Sequence, residues 1–378
     1  MTIGIDARFF GPQAKGLGRY TQKLIEGLEK SDAQNNYVIF LRRENFEHFQ
    51  PANSRFKKVL ADYPWYSLAE QIYLPWIISR QRVDLMHFPH FNVPIFYQGR
   101  FVVTIHDLIL RHFATRRAST RGYLKYWLKN LAYRLVIWSA IKRAHQIITV
   151  SNYVKNDILK HFRIWPAKII VTYEGVANED IKCQAPADEY LKKRNIAKPY
   201  LLYTGNAYPH KNLERLIKAL EILIRDYHYQ GQLVLVGEED YFYKRLKKNI
   251  PAGQPVIFTD FLPENDLVQL YCSASAYIFP SLCEGFGLPP LEAMARGVPV
   301  ISSNATCLPE ILGEAAIYFD PLNPADMAAK INSVLTNGGL RQTLARRGLE
   351  QIKKYSWKQM AQKTCEVYTT YNRFIRSR

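Results

Sequence analysis

Residues 279–299 read F-P-S-L-C-E-G-F-G-L-P-P-L-E-A-M-A-R-G-V-P, and this stretch decides the fold prediction. An apolar, β-prone run at 276–279 leads into it, and a loop rich in glycine and proline follows. Residues 291–295 are good helix formers behind a proline pair, and proline is favoured at a helix start because its missing N–H costs least there. A second β-prone run lies at 298–301. The stretch therefore predicts a strand, a loop, a helix and a strand.

The predicted loop has the features of an anion site. It brings free backbone N–H groups to a helix N-terminus, and Gly285 and Gly287 allow the backbone to approach a ligand closely. Glu284 precedes the loop and Glu292 lies in the predicted first helical turn. Because a carboxylate can accept two hydrogen bonds from a vicinal diol, the pair suits a ligand with hydroxyls on both sides of its phosphates, as in a nucleotide sugar. The spacing also allows a simpler interpretation, in which Glu292 complements the helix dipole and Glu284 is a solvated loop residue.

The string E-G-F-G-L-P-P-L-E at 284–292 resembles the E-x7-E element of retaining glycosyltransferases of family 4, which have two Rossmann-like domains in the GT-B arrangement. The resemblance implies that Glu284 lies beside the transferred sugar and that Glu292 holds the ribose. It also implies that the backbone of four residues meets the sugar and the pyrophosphate: Gly285, Phe286, Gly287 and Leu288.

The totals fit a cytoplasmic protein of two domains. The chain has 378 residues, of which 48% are hydrophobic and 22% are charged, enough for two ordinary domains with sizeable cores. No run approaches the roughly 18–20 uninterrupted apolar residues of a membrane helix, and the N-terminal residues reach an acid at Asp6, unlike a signal peptide. The five scattered cysteines lack a C-x-x-C spacing, which predicts reduced thiols rather than a disulfide framework or a zinc site.

The net charge of +18 is unevenly spread, and no acidic residue lies between Asp107 and Asp157. A basic region without a nucleic-acid-binding motif points to an anionic surface or substrate and not to nucleic acid. Within 111–143, large apolar residues recur at steps of three and four and predict one face of a helix: Leu124, Trp127, Leu128, Leu131, Leu135 and Trp138. We expect this basic stretch to touch an anionic membrane surface or a lipid-linked acceptor. The alternative is a core-packed helix with a solvated cationic rim.

Ahead of the first predicted helix, at 20–29, lies the glycine loop K-G-L-G-R-Y at 15–20. This geometry favours an anion, although a plain βα turn fits it as well. In family 4 the matching loop closes over donor phosphate or acceptor, so the resemblance implies ligand contacts for Gly16, Gly18 and Arg19.

A buried-type strand at 101–105 ends in His106 and Asp107. Ligands bind at such strand ends in open α/β sheets. The string T-I-H-D-L resembles the His-Asp turn of family 4, which implies that His106 contacts the donor sugar and that Asp107 supports it from behind. His106 could also be a hydrogen-bonded core histidine. His87 and His90, around the end of the preceding strand, are further candidates for the acceptor cleft.

The α/β rhythm restarts in the second half, where a strand at 200–203 runs into the loop G-N-A-Y-P-H-K-N at 205–212. The resemblance implies that Lys211 faces the pyrophosphate as a point charge. At the position of Asn206 the family usually offers an arginine or lysine, so that contact is open here. The resemblance also implies that the region of Phe261 cradles the nucleotide base.

Strands and helices alternate along the whole chain, which predicts an α/β fold with parallel sheets. We expect an N-terminal, acceptor-side domain at 1–178 and a C-terminal, nucleotide-sugar-binding domain at 179–356. The resemblance implies a GT-B fold, in which two Rossmann-like domains face across a cleft where the reaction takes place. It also implies a final helix, at 357–378, that crosses back to the first domain.

The activity expected from the resemblance is the retaining transfer of a hexose from a nucleoside diphosphate sugar to a hydroxyl of a glycan or polyprenyl-linked acceptor. A front-face route lets the departing phosphate take the acceptor's proton, while the protein neutralises charge and fixes geometry. No D-x-D occurs, so we expect no metal and no cofactor besides the donor.

The strings I-G-I-D-A-R, H-F-P-H-F-N-V-P and T-I-H-D-L look most like bacterial mannosyltransferases of surface-polysaccharide assembly, which favours GDP-mannose as the donor. UDP-sugar donors stay open, as do a sugar-nucleotide epimerase and a phosphorylase of similar architecture. A dinucleotide oxidoreductase is disfavoured because no G-x-G-x-x-G follows the first strand. A non-catalytic protein that binds sugar nucleotides or lipids is the other alternative.

Overall fold

The computed structural model describes residues 1–11, 14–113, 123–176 and 188–376 of the chain. Contacts between residues divide the chain into two units. Unit 1 consists of Met1–Gly175 and Ser356–Arg378, and unit 2 consists of Val176–Tyr355. The predicted boundary between 178 and 179 falls outside the described residues.

Unit 1 contains the strands β1 (Thr2–Asp6), β2 (Asn36–Leu41), β3 (Phe56–Leu60), β4 (Leu85–Phe88), β5 (Phe101–Ile105), β6 (Gln146–Thr149) and β7 (Ile169–Val171). Its helices are α1 (Lys15–Ser31), α2 (Arg43–Phe46), α3 (Leu68–Arg80), α4 (Ile109–His112), α5 (Tyr123–Arg143), α6 (Asn152–His161) and, from a distant part of the chain, α15 (Trp357–Arg376). The strands form one parallel sheet in the order β3-β2-β1-β4-β5-β6-β7. Its central strands β4 and β5 are fully buried, because they are nearly continuous apolar runs that helices cover. α15 packs against α1.

Unit 2 repeats this architecture with the strands β8 (Tyr200–Thr204), β9 (Gln232–Val236), β10 (Val256–Phe258), β11 (Ala276–Phe279), β12 (Val300–Ser303) and β13 (Ala316–Phe319). Its helices are α7 (Asp188–Lys193), α8 (Leu213–Tyr227), α9 (Tyr241–Asn249), α10 (Glu264–Ser273), α11 (Leu288–Met294), α12 (Leu308–Leu312), α13 (Pro324–Thr336) and α14 (Gly338–Gln351). The strands form a parallel sheet in the order β10-β9-β8-β11-β12-β13. The α/β prediction with parallel sheets is confirmed in both units.

Among the described strands, the order of each sheet changes direction at one point, between β1 and β4 in unit 1 and between β8 and β11 in unit 2. Ligands of open α/β sheets bind in the crevice outside the carboxyl ends of the strands at such a switch point. The topology therefore selects the loops after β1, β4, β8 and β11 as candidate ligand-binding segments.

The prediction for 279–299 is confirmed, because β11, a loop, α11 and β12 follow one another. Pro289 and Pro290 lie in the first turn of α11, where no N–H partner is needed. The helix has seven residues, and Glu292 lies just beyond its first turn rather than in it.

α1 begins at Lys15, so K-G-L-G-R-Y forms the first turns of a helix and the predicted glycine loop is wrong. Glycine is a poor helix former, which is why the sequence suggested a loop. Packing overrides that preference at Gly18, where an added Cβ would lie 1.9 Å from the carbonyl oxygen of Gly11 and 2.7 Å from that of Phe9. The close approach of α1 to the loop after β1 explains Gly18 without a ligand.

Two expectations from composition have different outcomes. Cys283, Cys307 and Cys365 are reduced, but Cys272 is disulfide-bonded, so the expectation of reduced cysteines is wrong at that residue. A disulfide at a scattered cysteine has no spacing signature, unlike the frameworks of small secreted domains. In the described part of the chain, no helix combines the length and the apolar character needed to cross a membrane.

Replacing Gly18 by alanine should lower the free energy of unfolding by about 1–3 kcal/mol, because the backbone must shift to admit the methyl group. Gly16 lies two residues earlier and has no atom within 4 Å of an added Cβ. Gly16→Ala should therefore leave stability unchanged or raise it by up to about 1 kcal/mol. Urea denaturation followed by circular dichroism measures both variants. Equal effects at the two glycines would contradict the close approach of α1.

Candidate functional site

The switch point of unit 2 carries an ion pair formed by two of the predicted site residues. Lys211 ends the short 3₁₀ helix Pro209–Lys211 after β8, and Glu284 lies in the loop after β11. Lys211 Nζ donates a hydrogen bond to Glu284 Oε1 over 2.6 Å. The two side chains are only 15% and 10% exposed, and charges in such a partly desolvated position interact more strongly than in water.

Asn212 fastens the loop after β8, and the sequence analysis missed it. Its Nδ2 donates to the carbonyl oxygens of Pro280, over 3.0 Å, and Pro321, over 2.8 Å. Its side chain is buried, and its backbone has a φ of 63°, a left-handed conformation that asparagine tolerates better than most residues. The available sequence signal, an asparagine directly ahead of an apolar-periodic helix, indicates no more than an ordinary helix cap.

The loops after β8 and β11 are also joined through their backbones. Leu282 N–H donates to the carbonyl oxygen of His210 over 2.7 Å. The loop after β11 is also bound to the loop after β12, because Glu284 N–H donates to Thr306 Oγ1 over 3.1 Å. Burial of His210 and the charge of Lys211 lower the pKa of His210 to about 4. The ring of His210 is therefore neutral at physiological pH, and Lys211 supplies the positive charge of this loop.

The loop at 285–287 is buried within unit 2. Gly287 precedes α11 with a φ of 100°, a conformation that favours glycine, and an added Cβ would lie 3.0 Å from Leu308 Cδ2. The Phe286 ring packs edge-on against Tyr355, with ring centroids 5.4 Å apart. The Phe286 side chain thus serves packing, which leaves the backbone as the part of this loop that is predicted to meet a ligand. Leu288 opens α11 and is half-buried.

Glu292 is tied to a chain of buried hydroxyl groups. Tyr271 Oη donates to Glu292 Oε2 over 3.3 Å, and the same hydroxyl lies 2.9 Å from Thr204 Oγ1. Thr204 Oγ1 in turn lies 3.0 Å from Tyr277 Oη. Since Thr204 ends β8, the chain of hydroxyls holds the Glu292 carboxylate at the same sheet edge as the ion pair.

Asn206 and Phe261 lie in the loops after β8 and β10. Asn206 accepts hydrogen bonds from Tyr203 Oη at its carbonyl oxygen, over 2.7 Å, and from Tyr208 N–H at Oδ1, over 3.3 Å. An amide carries no charge, so Asn206 cannot replace the basic residue that family 4 usually has there. Phe261 is 73% exposed, so its ring is accessible to a bound group.

In unit 1, both ring nitrogens of His106 have hydrogen-bond partners. Nε2 lies 2.9 Å from the carbonyl oxygen of Pro89, and Nδ1 lies 3.1 Å from Oε1 of the buried Glu174. A carbonyl oxygen only accepts, so Nε2 must carry a proton, and an ionised Glu174 requires a second proton on Nδ1. Burial opposes the charge of this imidazolium, but the hydrogen bond and charge of Glu174 outweigh burial and raise the pKa of His106.

The sequence analysis assigned the support of His106 to Asp107. In the structure the side-chain hydrogen bond comes from Glu174, and the charge of Asp107 adds to that of Glu174 in raising the pKa of His106. Asp107 Oδ1 accepts the N–H of Ile109 over 2.8 Å, at the start of α4. Glu174 follows β7, and it stands 68 residues from His106 in the sequence, where no local pattern links the two.

His87 is a core residue, and the suggested acceptor-cleft role for it is wrong. Its ring is fully buried, with Nδ1 2.6 Å from Tyr368 Oη and Nε2 2.8 Å from Thr104 Oγ1. Burial and the nearby His106 lower the pKa of His87 to about 3, so the ring is neutral.

The predicted residues thus form two groups, one in each unit. Unit 2 holds Lys211, Asn206, Phe261, Glu284, Gly285, Phe286, Gly287, Leu288 and Glu292. Unit 1 holds His106, Asp107, Gly16, Gly18 and Arg19, of which the last three lie on the first two turns of α1.

One cluster in the described residues offers side chains of the kinds that bind metal ions: His112, Asp157 and His161. His112 Nε2 lies 2.7 Å from Asp157 Oδ2. His161 Nδ1 lies 2.9 Å from the carbonyl oxygen of Asp157 and 3.1 Å from its Oδ1. Each imidazole directs a nitrogen to an acceptor of Asp157, so these contacts account for the cluster as a hydrogen-bonded link between α4 and α6.

Two family models match the chain. Residues 14–180 match the model described as Glycosyltransferase Family 4, and residues 187–351 match the model described as Glycosyl transferases group 1. O-antigen chain mannosyltransferase B of Escherichia coli is 29% identical over 374 residues, which cover 93% of this chain and 95% of that protein. O-antigen chain mannosyltransferase RfbU of Salmonella typhimurium is 27% identical over 272 residues, which cover 71% of this chain and 70% of that protein.

Solved structures share the fold along nearly the whole chain. Sucrose-phosphate synthase from Thermosynechococcus elongatus superposes with a TM-score of 0.75 at 20% identity, covering 98% of this chain and 99% of that one. The Anabaena protein Alr3699/HepE, in complex with UDP and glucose, has a TM-score of 0.74 at 17% identity and covers the same shares. WaaG, a glycosyltransferase involved in lipopolysaccharide biosynthesis, has a TM-score of 0.69 at 17% identity, covering 97% and 99%. The fold is therefore GT-B, as the resemblance to family 4 implied.

The contact between His106 and Glu174 should make stability depend on pH. The pKa of His106 is higher in the folded protein than in the unfolded chain, so protonation stabilises unit 1 fully below about pH 6.5, the ordinary value of histidine. This stabilisation is lost as the pH rises through the folded pKa. In Glu174→Gln, the amide N–H can donate to an unprotonated Nδ1, so the contact persists without the second proton. The pKa of His106, measured by ¹⁵N NMR on labelled histidine, should therefore be lower in this variant.

Urea denaturation between pH 6 and pH 9 measures the linked change in stability. Wild type should lose stability relative to Glu174→Gln as the pH rises, by up to about 1.4 kcal/mol for each unit that separates the two His106 pKa values. Glu314→Gln is the control, because that carboxylate is 87% exposed, and it should follow wild type. An unchanged His106 pKa in Glu174→Gln would show that the pair does not hold the second proton.

Proposed function

We propose that this chain, a glycosyltransferase in which a Glycosyltransferase Family 4 domain precedes a Glycosyl transferases group 1 domain, transfers mannose from GDP-mannose to a hydroxyl of a glycan or polyprenyl-linked saccharide. Two relatives named as O-antigen mannosyltransferases support the choice of sugar. A UDP-sugar is the second candidate donor, because a structure of the same fold is described with UDP and glucose.

The ion pair between Lys211 and Glu284 is the observation that supports donor binding in unit 2. An ammonium group has three N–H donors, and Glu284 accepts from one of them. The others suit the oxygens of a diphosphate, toward which lysine acts as a point charge. The pair also lies at the switch point of the sheet, where nucleotides bind in folds of this kind.

In this proposal, other predicted site residues of unit 2 contact different parts of the donor. Glu284 presents its second carboxylate oxygen to a sugar hydroxyl, and the backbone N–H groups of 285–288 meet the sugar and the pyrophosphate. Glu292 accepts hydrogen bonds from the ribose hydroxyls. The exposed ring of Phe261 stacks on the base.

The proposed reaction retains the anomeric configuration by a front-face route. The bond between the anomeric carbon and the phosphate oxygen breaks, and the acceptor oxygen bonds to the same face of that carbon. The acceptor's proton passes to the departing phosphate, whose developing charge Lys211 stabilises. Because this fixed cation serves the leaving group, the proposal needs no metal ion. His106 is not the base, since both of its nitrogens carry protons when it is paired with an ionised Glu174.

Glu292→Ala should weaken donor binding about 5- to 150-fold, which corresponds to lost hydrogen bonds worth about 1–3 kcal/mol. Lys211→Ala should lower kcat more than donor affinity, because the ammonium acts mainly on charge that develops during the reaction. Isothermal titration with GDP-mannose and UDP-glucose in EDTA, together with steady-state kinetics, measures both effects.

Lys244→Ala is the matched control, because that lysine is 68% exposed on α9, and it should behave as wild type. Wild-type kinetics in both Glu292→Ala and Lys211→Ala would mean that the donor site is misplaced. Turnover that disappears in EDTA and returns with magnesium or manganese would overturn the metal-independent mechanism.

We further propose that α5 brings the enzyme to an anionic membrane surface. Trp127, Leu128, Leu131, Leu135 and Trp138 are between 41% and 54% exposed, so the alternative of a core-packed helix is wrong for this part of α5. Lys129 and Arg134, both exposed, lie between them, and tryptophan and leucine beside basic residues form the kind of face that rests in the headgroup region of a bilayer. Within the predicted stretch of 111–143, residues 114–122 and the side chains of 123–126 lie outside the described part of the chain.

The double variant Trp127→Ser/Leu131→Ser should bind vesicles at least about tenfold more weakly than wild type, because each side chain loses on the order of 1.5 kcal/mol or more of burial. Flotation with phosphatidylglycerol/phosphatidylethanolamine vesicles at low salt measures binding. Trp165→Ser is the control, because this tryptophan is 82% exposed in unit 1 but outside α5. Failure of wild type to float, or equal binding by all three proteins, would reject the membrane role.

A further inference from the structure

The switch point of unit 1 carries a cluster of aromatic rings that the proposed donor site does not use. The ring cluster consists of Phe9 after β1, Trp65 and Tyr66 ahead of α3, His90 and Phe91 after β4, and Tyr133 on α5. Phe9 stacks on Trp65 with ring centroids 4.3 Å apart, and His90 lies 5.2 Å from Phe9 and 4.1 Å from Phe91. Phe9 is buried, Tyr66 is 60% exposed, and the other four rings are half-buried. The cluster thus presents a partly accessible aromatic surface where the topology favours a ligand.

A buried charge network holds the loops that carry these rings. The fully buried Arg8 donates from Nε and Nη2 to the two carboxylate oxygens of Asp6, over 2.8 and 2.7 Å, and from Nη2 to Glu70. Glu70 is also fully buried, and it accepts from Asn92 Nδ2 over 2.7 Å and from Tyr66 N–H over 2.7 Å. The network therefore connects the end of β1, the loop ahead of α3 and the loop after β4. Burying these charges costs several kcal/mol per ion, which their mutual attraction and these hydrogen bonds offset only while the geometry of the three segments is kept.

Tyr66 is held in a strained conformation by this network. Its φ is 60°, in the left-handed region that residues with large side chains avoid. The hydrogen bond from its N–H to Glu70 Oε2 holds the backbone in this conformation while the ring remains 60% exposed. Backbone strain of this kind is typical of ligand-binding sites, and here it presents an aromatic face to solvent.

Polar groups accompany the rings. His90 Nδ1 accepts the N–H of Asn92 over 3.3 Å, so the proton lies on Nε2, which can donate to a hydroxyl. Burial and the nearby His106 lower the pKa of His90 to about 3, so this ring is neutral. Trp65 Nε1 is a buried donor without a hydrogen-bond partner among the described residues. Aromatic faces with a few polar groups at their edge match the two sides of a pyranose ring, whose C–H faces are apolar and whose hydroxyls are not.

We propose that the ring cluster is the subsite for the acceptor and binds a pyranoside residue of it, with Tyr66 as the stacking surface and His90 as a hydroxyl donor. This inference rests on the proposed function, because it assigns the second substrate of that reaction. His106 connects to the same surface, since its Nε2 donates to the carbonyl oxygen of Pro89, the residue before His90.

Saturation-transfer NMR with α-mannobiose on the full-length chain, without donor, tests the subsite. Wild type should show transfer to the sugar protons, Tyr66→Ala should lose it, and Tyr66→Phe should retain it because the ring remains. Tyr73→Ala is the control, because this tyrosine is 51% exposed on the neighbouring α3 and lies outside the cluster. Binding that survives in Tyr66→Ala, or no binding by wild type, would overturn the assignment.

Kinetics separate this inference from the donor site. In Tyr66→Ala the KM for α-mannobiose should rise about tenfold, as for the loss of a stacking contact, while hydrolysis of GDP-mannose without acceptor and the donor Kd stay at wild-type values. A loss of donor binding in Tyr66→Ala would contradict an acceptor role. Saturation transfer that depends on Tyr66, in a chain that binds neither GDP-mannose nor UDP-glucose, would support the saccharide site while the proposed donor reaction fails.

Discussion

The proposed donor site, at the carboxyl ends of the strands of unit 2, depends on one interaction, the ion pair between Lys211 and Glu284. Moving an ammonium and a carboxylate out of water costs several kcal/mol per ion, and their attraction offsets this only when the geometry is held. Asn212 and the backbone bond between Leu282 and His210 hold it by fastening one loop to the other. Charge that is already in place needs no reorganisation during a reaction, which is the condition under which electrostatic stabilisation is most effective.

Unit 1 uses buried charge at its own switch point in a different way. There Arg8 lies between two carboxylates inside the core, and the network shapes the loops above it instead of facing a phosphate. His106 and Glu174 form a second pair at the same sheet edge, with the proton count set by the hydrogen-bond partners of the ring. The two sheets share a topology, so the difference in what their edges can bind comes from the residues that follow the strands.

The fold and much of the unit 2 site could be predicted because their sequence signals are local. The stretch at 279–299 carries its strand, turn and helix signals in consecutive residues, and parallel topology then places the residues that follow the strands at one edge. Glu174 could not be assigned to His106, because no local pattern encodes a contact across 68 residues. The prediction of a loop around Gly18 was wrong for the opposite reason. The local propensity of glycine disfavours a helix, but packing of Gly18 against the backbone of the preceding loop overrides that propensity.

The crossing of α15 into unit 1 has a consequence for how the protein is made. Its Tyr368 is fully buried and bonds to His87 in the core over 2.6 Å, and the helix packs on α1. A ribosome produces the whole contiguous segment of unit 2 before it produces this helix. Unit 2 can therefore mature first, reversing the usual N-terminal-first order of domain folding. Until α15 emerges, the face of α1 on which it packs stays uncovered in the nascent chain.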